Sequence, residues 1–346
     1  MMEPRQSIDW DDEAQTVPIG HAKLGAYSIR YDCRLVEEAV SRTVKGYSPA
    51  ERQQFHQQRE AIYAERDPDA RESRFQQLHA EWFVRVGLQA PLESLLSERA
   101  ALIDATQDCL VVPARIRSDE TADLYDCRLR QPDDVRDAGD AISQESARRL
   151  VVRIRSETLA DPKALTALLQ HELMHVTDMV DVKFGYELEL PASDAGPSYD
   201  NILRDRYRAV WDSCIDGRLF RRRLVSVEAR TRRLREFARA FPMLGARTEE
   251  SFGRWFDEAQ PTHAAIVAFV QEPRGPGESQ GPVVDGRCPI CRFPSPTLDP
   301  NPGRLSAGAV AALQHGHPAW TPEQGLCVQC GDLYEARSLD IAAANP

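Results

Sequence analysis

The sequence predicts an α+β protein that is mostly helical. Three observations carry that expectation. Apolar residues recur at helical spacing through long stretches punctuated by glycine and proline. Three short β-favouring runs fall between residues 109 and 155, and the last of them leads into a strongly patterned helical stretch from Asp161 to Gly185. The expected organisation is a mobile tail over 1–24, a helical part over 25–105, an α+β core over 106–271, a linker over 272–287, a cysteine-bearing segment over 288–335 and a second tail over 336–346.

At 346 residues the chain is long enough for one large domain or two to three smaller ones, with enough aliphatic content for a core. Its formal charge of −11 argues against a nucleic-acid surface over the whole molecule while leaving room for a local basic face. Met1 to Pro18 is acidic and polar with no apolar leader, and the longest apolar run, Ala264 to Val270, is too short to span a bilayer. A cytoplasmic protein with no membrane partner is expected.

From Tyr31 to Ala105 the pattern is helical, carried by Leu35, Val36, Ala39 and Val40, then Phe55 and Ile62, then Leu78, Trp82 and Phe83, then Leu92, Leu95, Leu96 and Leu102. Breaks at Gly46-Tyr47-Ser48-Pro49, Asp67-Pro68 and Ala90-Pro91 divide it into three or four helices, with His56 and His79 expected on solvated faces. The β-favouring runs are Cys109 to Val112, Leu124 to Leu129 and Leu150 to Arg155.

Asp161 suits an N-cap and Pro162 the first helical position, and Leu165, Leu168, Leu169, Leu173 and Val176 follow at helical spacing. This helix carries His171-Glu172-Leu173-Met174-His175. Two histidines four apart project side by side, as the first two ligands of one Zn²⁺ must. Glu172 between them suits a general base toward a metal-bound water. The bland alternative is two histidines packed or solvated without a ligand. With no breaker before Gly185 the helix should run on and carry Asp181 away from the pair, whereas Asp178 shares their face and is placed to orient a ligand or cap a neighbour.

A further helix starts near Ser198 and carries Asp212 and Asp216 beside Trp211, Ile215 and Leu219, with Gly217 placed to let two helices approach closely. From Arg218 to Arg239 there are nine arginines against two glutamates. This Arg-rich helix is either a solvated face or a docking surface for an acidic partner or nucleic acid. Pro242 closes the segment, and Phe252 to Val270 supplies one or two more helices.

Near the C-terminus, Cys288-Pro289-Ile290-Cys291 and Cys327-Val328-Gln329-Cys330 form two thiolate pairs separated by thirty-five residues. Together they complete a four-cysteine site of the kind that holds a structural Zn²⁺. So short a segment, rich in proline and glycine, would draw most of its folding free energy from the metal. His315 and His317 are not needed as ligands, and Cys33, Cys109, Cys127 and Cys214 read as buried thiols.

The His171-to-His175 motif resembles the zincin metallopeptidases, and its pairing with downstream acids resembles the gluzincins in particular. That resemblance implies a small sheet packed on the motif helix, with an edge strand lining the substrate cleft, and it makes Leu150 to Arg155 the expected cleft strand. It also implies a carboxylate ligand from a downstream helix and a second acid four residues later that orients a histidine, which would make Asp212 the ligand and Asp216 the support. Trp211 to Leu219 also resembles the Trp-Asn-x-x-x-Asp signature of compact bacterial metallopeptidase-like domains, which makes Asp216 the ligand. Asp216 is the preferred third ligand and Asp212 the alternative, aspartate standing where gluzincins use glutamate. Metzincins place a ligand where Asp181 stands, but they have a glycine where this chain has Asp178. The motif together with a four-cysteine zinc ribbon looks like the SprT-like proteases. That match covers only those two features, because the third histidine of that family has no counterpart nearer than His263.

The resemblance implies a zinc metallopeptidase with one catalytic and one structural Zn²⁺. Its substrate would be a protein or peptide, and Tyr186, Tyr199, Tyr207 and Arg218 are eligible oxyanion donors. The rival is a non-catalytic zincin-fold scaffold that docks partners through the ribbon and the Arg-rich helix.

Overall fold

Short polar side chains set the helix starts in the first hundred residues. Asp32 accepts from the Leu35 amide, Ser48 forms a reciprocal capping box with Glu51, and Asp67 accepts from the Asp69 amide, the last two followed by a proline. The computed structural model describes residues 16–18, 24–126, 148–191, 197–275, 288–291, 298 and 305–335. In chain order the elements are β1 (Thr16–Pro18), β2 (Ser28–Asp32), α1 (Cys33–Val44), α2 (Pro49–Ile62), α3 (Pro68–Arg85), α4 (Ala90–Ser97), α5 (Ala100–Asp104), β3 (Asp108–Pro113), β4 (Thr121–Asp126) and β5 (Arg148–Ile154). They continue with α6 (Ser156–Leu159), α7 (Pro162–Val180), α8 (Pro197–Arg221), α9 (Val227–Ala240), α10 (Thr248–Asp257), α11 (His263–Gln271) and α12 (Ala307–Gly316). A last helix, α13, covers 328–335. The class is α+β and mostly helical, as expected. Among the described residues no helix is long and apolar enough to cross a membrane.

The strands form one sheet in the order β1-β2-β3-β5-β4. β2, β3 and β5 run parallel, while β1 and β4 pair antiparallel with their neighbours at the two edges. Parallel neighbours need a long crossover, which α1 to α5 supply between β2 and β3. Several expectations change here. β1 lies within the stretch read as a tail, and β2 includes the start of the segment read as helical. Leu150 to Ile154 of that run belong not to an edge but to β5, which is paired on both sides, and Arg155 lies just past its end. Its Leu150, Val151, Val152 and Ile154 are all buried, the near-continuous apolar run of an interior strand, broken only by Arg153. The edge is β4. His79 is buried against Phe55 and Phe75 instead of solvated.

α7 is a wall between two cores. Leu165, Leu169, Leu173 and Val176 pack into the cluster shared by the sheet and α1 to α5, whereas Met174 packs into a second cluster built by α8 to α11. Each fully buried leucine or phenylalanine contributes about 1.5–3 kcal/mol of apolar burial, so the two faces pin α7 from both sides. Asp161 caps its start through the Lys163 and Ala164 amides. The helix ends at Val180 with Asp181 as its C-cap, five residues before Gly185, so Asp181 terminates the helix instead of continuing it.

The Arg-rich segment is two helices and not one. α8 stops at Arg221, the chain turns through 222–226 with Arg223 at a φ of 61°, and α9 returns alongside α8. Gly217 does permit a close helix approach, but to α10: a Cβ there would lie 1.7 Å from the Phe256 carbonyl oxygen.

Candidate metal centres

The i, i+4 spacing of His171 and His175 on α7 faces the i, i+4 spacing of Asp212 and Asp216 on α8. Three atoms converge. His171 Nε2 and His175 Nε2 are 3.3 Å apart, His175 Nε2 and Asp212 Oδ1 are 2.9 Å apart, and His171 Nε2 and Asp212 Oδ1 are 3.5 Å apart. Ligand atoms bonded to a tetrahedral zinc at about 2.0–2.1 Å lie about 3.3 Å from one another. The donor set therefore fits a zinc-sized ion, and His171, His175 and Asp212 could hold one.

Asp216 stands behind the triangle. Its Oδ1 is 2.8 Å from His171 Nδ1, the ring nitrogen facing away from the other ligand atoms. Its side chain is 3% exposed against 12% for Asp212. The group of atoms that could hold an ion thus takes in Asp212 and not the preferred Asp216, which instead bonds the outer nitrogen of His171, where a carboxylate beside a ligating histidine usually stands. His175 is held differently. Its ring packs edge-on against Trp211 at 4.4 Å, and the Trp211 indole N–H donates to Asp178 at 2.8 Å. Asp178 in turn receives both arms of Arg218, at 2.8 and 2.5 Å. Asp178 thus acts on the site through Trp211.

Glu172, one residue after His171 on α7, is held at the sheet edge. Its Oε2 accepts from Thr121 Oγ1 at 3.0 Å and from the Ala122 amide at 3.3 Å, both at the start of β4. Arg233 of α9 completes the constellation. Its Nε donates to Asp216 Oδ2 at 2.6 Å, its Nη1 to Asp212 Oδ2 at 2.9 Å and to Glu236 Oε2 at 2.7 Å, and its Nη2 lies 3.3 Å from His171 Nε2. The helical hairpin explains why: Asp216 and Arg233 lie at similar distances on either side of the turn at 222–226. Burial opposes charge on His171, but hydrogen bonds and negative charge from Asp212 and Asp216 outweigh it and push the imidazole up to about 9. Burial also opposes charge on the two acids, yet their histidine and Arg233 partners hold both carboxyls below the usual range.

The four cysteines form the second centre. Cys288 and Cys330 sulfurs are 3.8 Å apart, as are those of Cys291 and Cys327, and all four lie within 4.8 Å of one another. Thiolates bonded to zinc at about 2.3 Å would sit about 3.8 Å apart, so this set also could hold a metal ion. Burial opposes a thiolate at Cys288, but amides of Cys327, Cys291 and Ile290 directed at its sulfur bring it down to about 7. Ala309, Leu313, Trp320, Leu326 and Tyr334 pack around the cluster. The expected ribbon of strands is not what the described residues form here: α12 lies between the pairs, and the second pair leads into α13. His317 bonds Tyr334 and stays out of the metal set.

Other predicted residues fall elsewhere. Tyr207 bonds His263 at 2.8 Å, and Arg218 is committed to Asp178. Tyr186 packs on Trp211, and His263 is not among the residues whose ligand atoms converge. Cys127, the side chain of Tyr199 and residues 276–287 of the linker lie outside the described residues. Of the arginines read as a docking face, Arg221 donates to the Phe256 and Glu258 carbonyls, Arg230 lies over the Phe252 and Phe256 rings, and Arg218 and Arg233 bind acids. Sequence reasoning missed Thr121 and Arg233. Nothing distinguished Arg233 among nine arginines except that two paired acids beside two histidines need a countercharge. No family model, no curated protein and no solved structure matches the chain.

Proposed function

We propose that the chain is a zinc-dependent metallopeptidase of the zincin type. The observation that carries the reading is the triangle of His171 Nε2, His175 Nε2 and Asp212 Oδ1, with a glutamate placed between the two histidines in sequence and held at a sheet edge. When bound, zinc supplies a Lewis acid for a carbonyl and makes water more acidic. Glu172 does the proton work. With Oε2 occupied by Thr121 and the Ala122 amide, Oε1 takes the proton from the attacking water and later returns it to the leaving amine. β4 is the sheet edge beside Glu172, and the substrate class is a protein or peptide. The four-cysteine centre is structural, closed by four ligands with none left over for chemistry.

The test is a peptide-library digest by wild type and Glu172→Gln, each with and without chelator. Glutamine keeps the size of the side chain and leaves both histidines in place, so metal content should survive while hydrolysis falls about 10²–10⁴-fold. Metal-dependent cleavage that persists in Glu172→Gln sinks the mechanism. Cleavage by neither protein leaves the scaffold as the function.

A further inference from the structure

We propose that Arg233 is the positioning residue that makes Asp212 a one-oxygen ligand. The inference rests on the triangle being a zinc site. A carboxylate can ligate through one oxygen or both, and a four-coordinate site with one open position needs Asp212 to offer only one. Arg233 donates Nη1 to Asp212 Oδ2 at 2.9 Å, which turns Oδ1 alone toward the two histidine nitrogens. Its Nε simultaneously holds Asp216 Oδ2 at 2.6 Å, so Asp216 Oδ1 stays on His171. Nη1 also reaches Glu236, which steadies the guanidinium from its own helix. The Arg233 side chain is 13% exposed, whereas Arg232 is 60% exposed and approaches Asp216 only at 3.5 Å. One planar group thus takes the rear oxygen of both acids, which needs the rigid fork of arginine and not only its charge.

The experiment uses the full chain with its four cysteines filled first by one equivalent of zinc, then titrated with Co²⁺, whose visible absorption depends on coordination geometry. Wild type should give the strong band of four-coordinate Co²⁺. In Arg233→Met and in Arg233→Lys, Asp212 can swing both oxygens onto the metal, and the band should weaken several-fold. Circular dichroism checks folding, and if the methionine variant does not fold the lysine variant carries the test. An unchanged band in a folded variant overturns the proposal. So does a lysine variant that keeps the wild-type band while methionine loses it, since charge alone would then suffice. A wild type that takes up Co²⁺ nowhere beyond the cysteines overturns the zinc reading along with it.

Discussion

Replacing Asp212 and Asp216 by alanine, one at a time, separates the two roles that their geometry gives them. Asp212→Ala removes one of three converging ligand atoms. Structural zinc gains about 10–16 kcal/mol from four protein ligands, so each is worth about 3 kcal/mol, and the loss should be about hundredfold in affinity or more. Asp216→Ala removes the bond to His171 Nδ1 and the one from Arg233 Nε but leaves the three converging ligand atoms in place, and the loss of such a support costs about 10–100-fold. Part of that is returned. With its imidazole pushed up to about 9, His171 must release a proton to bind metal at pH 7, which weakens binding about hundredfold. Removing Asp216 takes away one cause of that elevation, leaving a net loss of about tenfold or less. Competition against a chromophoric chelator, with the cysteines already filled by zinc, measures both. The sign with pH follows: wild-type affinity should rise about tenfold per pH unit toward pH 9 and then level, because His171 gives up its proton there. Asp212 and Asp216, held below the usual range, stay ionised throughout, and Asp216→Ala should level off at lower pH. If Asp216→Ala empties the site while Asp212→Ala keeps its metal, the reasoning fails.

Two more expectations concern the rest of the chain. Cys288→Ser with Cys291→Ser should lower the metal content from two ions per chain to one without shifting the main thermal transition; elemental analysis and calorimetry check this, and an unchanged metal count refutes the four-cysteine centre. Gly217→Ala forces a Cβ to 1.7 Å from backbone oxygen in α10, and since overpacking costs about 1–3 kcal/mol even where side chains can yield, an immovable carbonyl should put the loss at the top of that range or above. The thermal midpoint should fall by several degrees, and an unaltered midpoint would mean that α8 and α10 are not in contact.

What was legible in the sequence follows the range of the interactions. The start of α7 was readable because Asp161 and Pro162 act within one turn, and the histidine pair because its geometry is internal to one helix. The four cysteines were readable because thiolate pairs in tight turns define their own geometry. The edge strand was not, since pairing order is decided between segments far apart: β5 has the more apolar run and takes the interior, leaving β4 at the rim. The choice between Asp212 and Asp216 also depended on depth across a helix pair, a matter of about one helical turn. Arg233 was hidden because its role arises only once α9 folds back on α8.

The site combines two imidazoles, three carboxylates and a guanidinium, a set of groups whose desolvation opposes folding unless every one is paired. The pairing is carried by side chains on α7, α8 and α9, yet the rigidity comes from what flanks them. Leu165, Leu169 and Leu173 fix α7 against the sheet, while Val210, Ile215 and Leu219 fix α8 in the aromatic cluster. Between these apolar walls the helices have little freedom to slide, so His171 meets Asp216 and His175 meets Asp212 without reorganisation. The link from Arg218 through Asp178 and Trp211 to the His175 ring extends that constraint into the second cluster. A polar network partnered in this way polarises its members and holds them in place, which is the condition under which three ligand atoms can wait at the separation that one small ion demands.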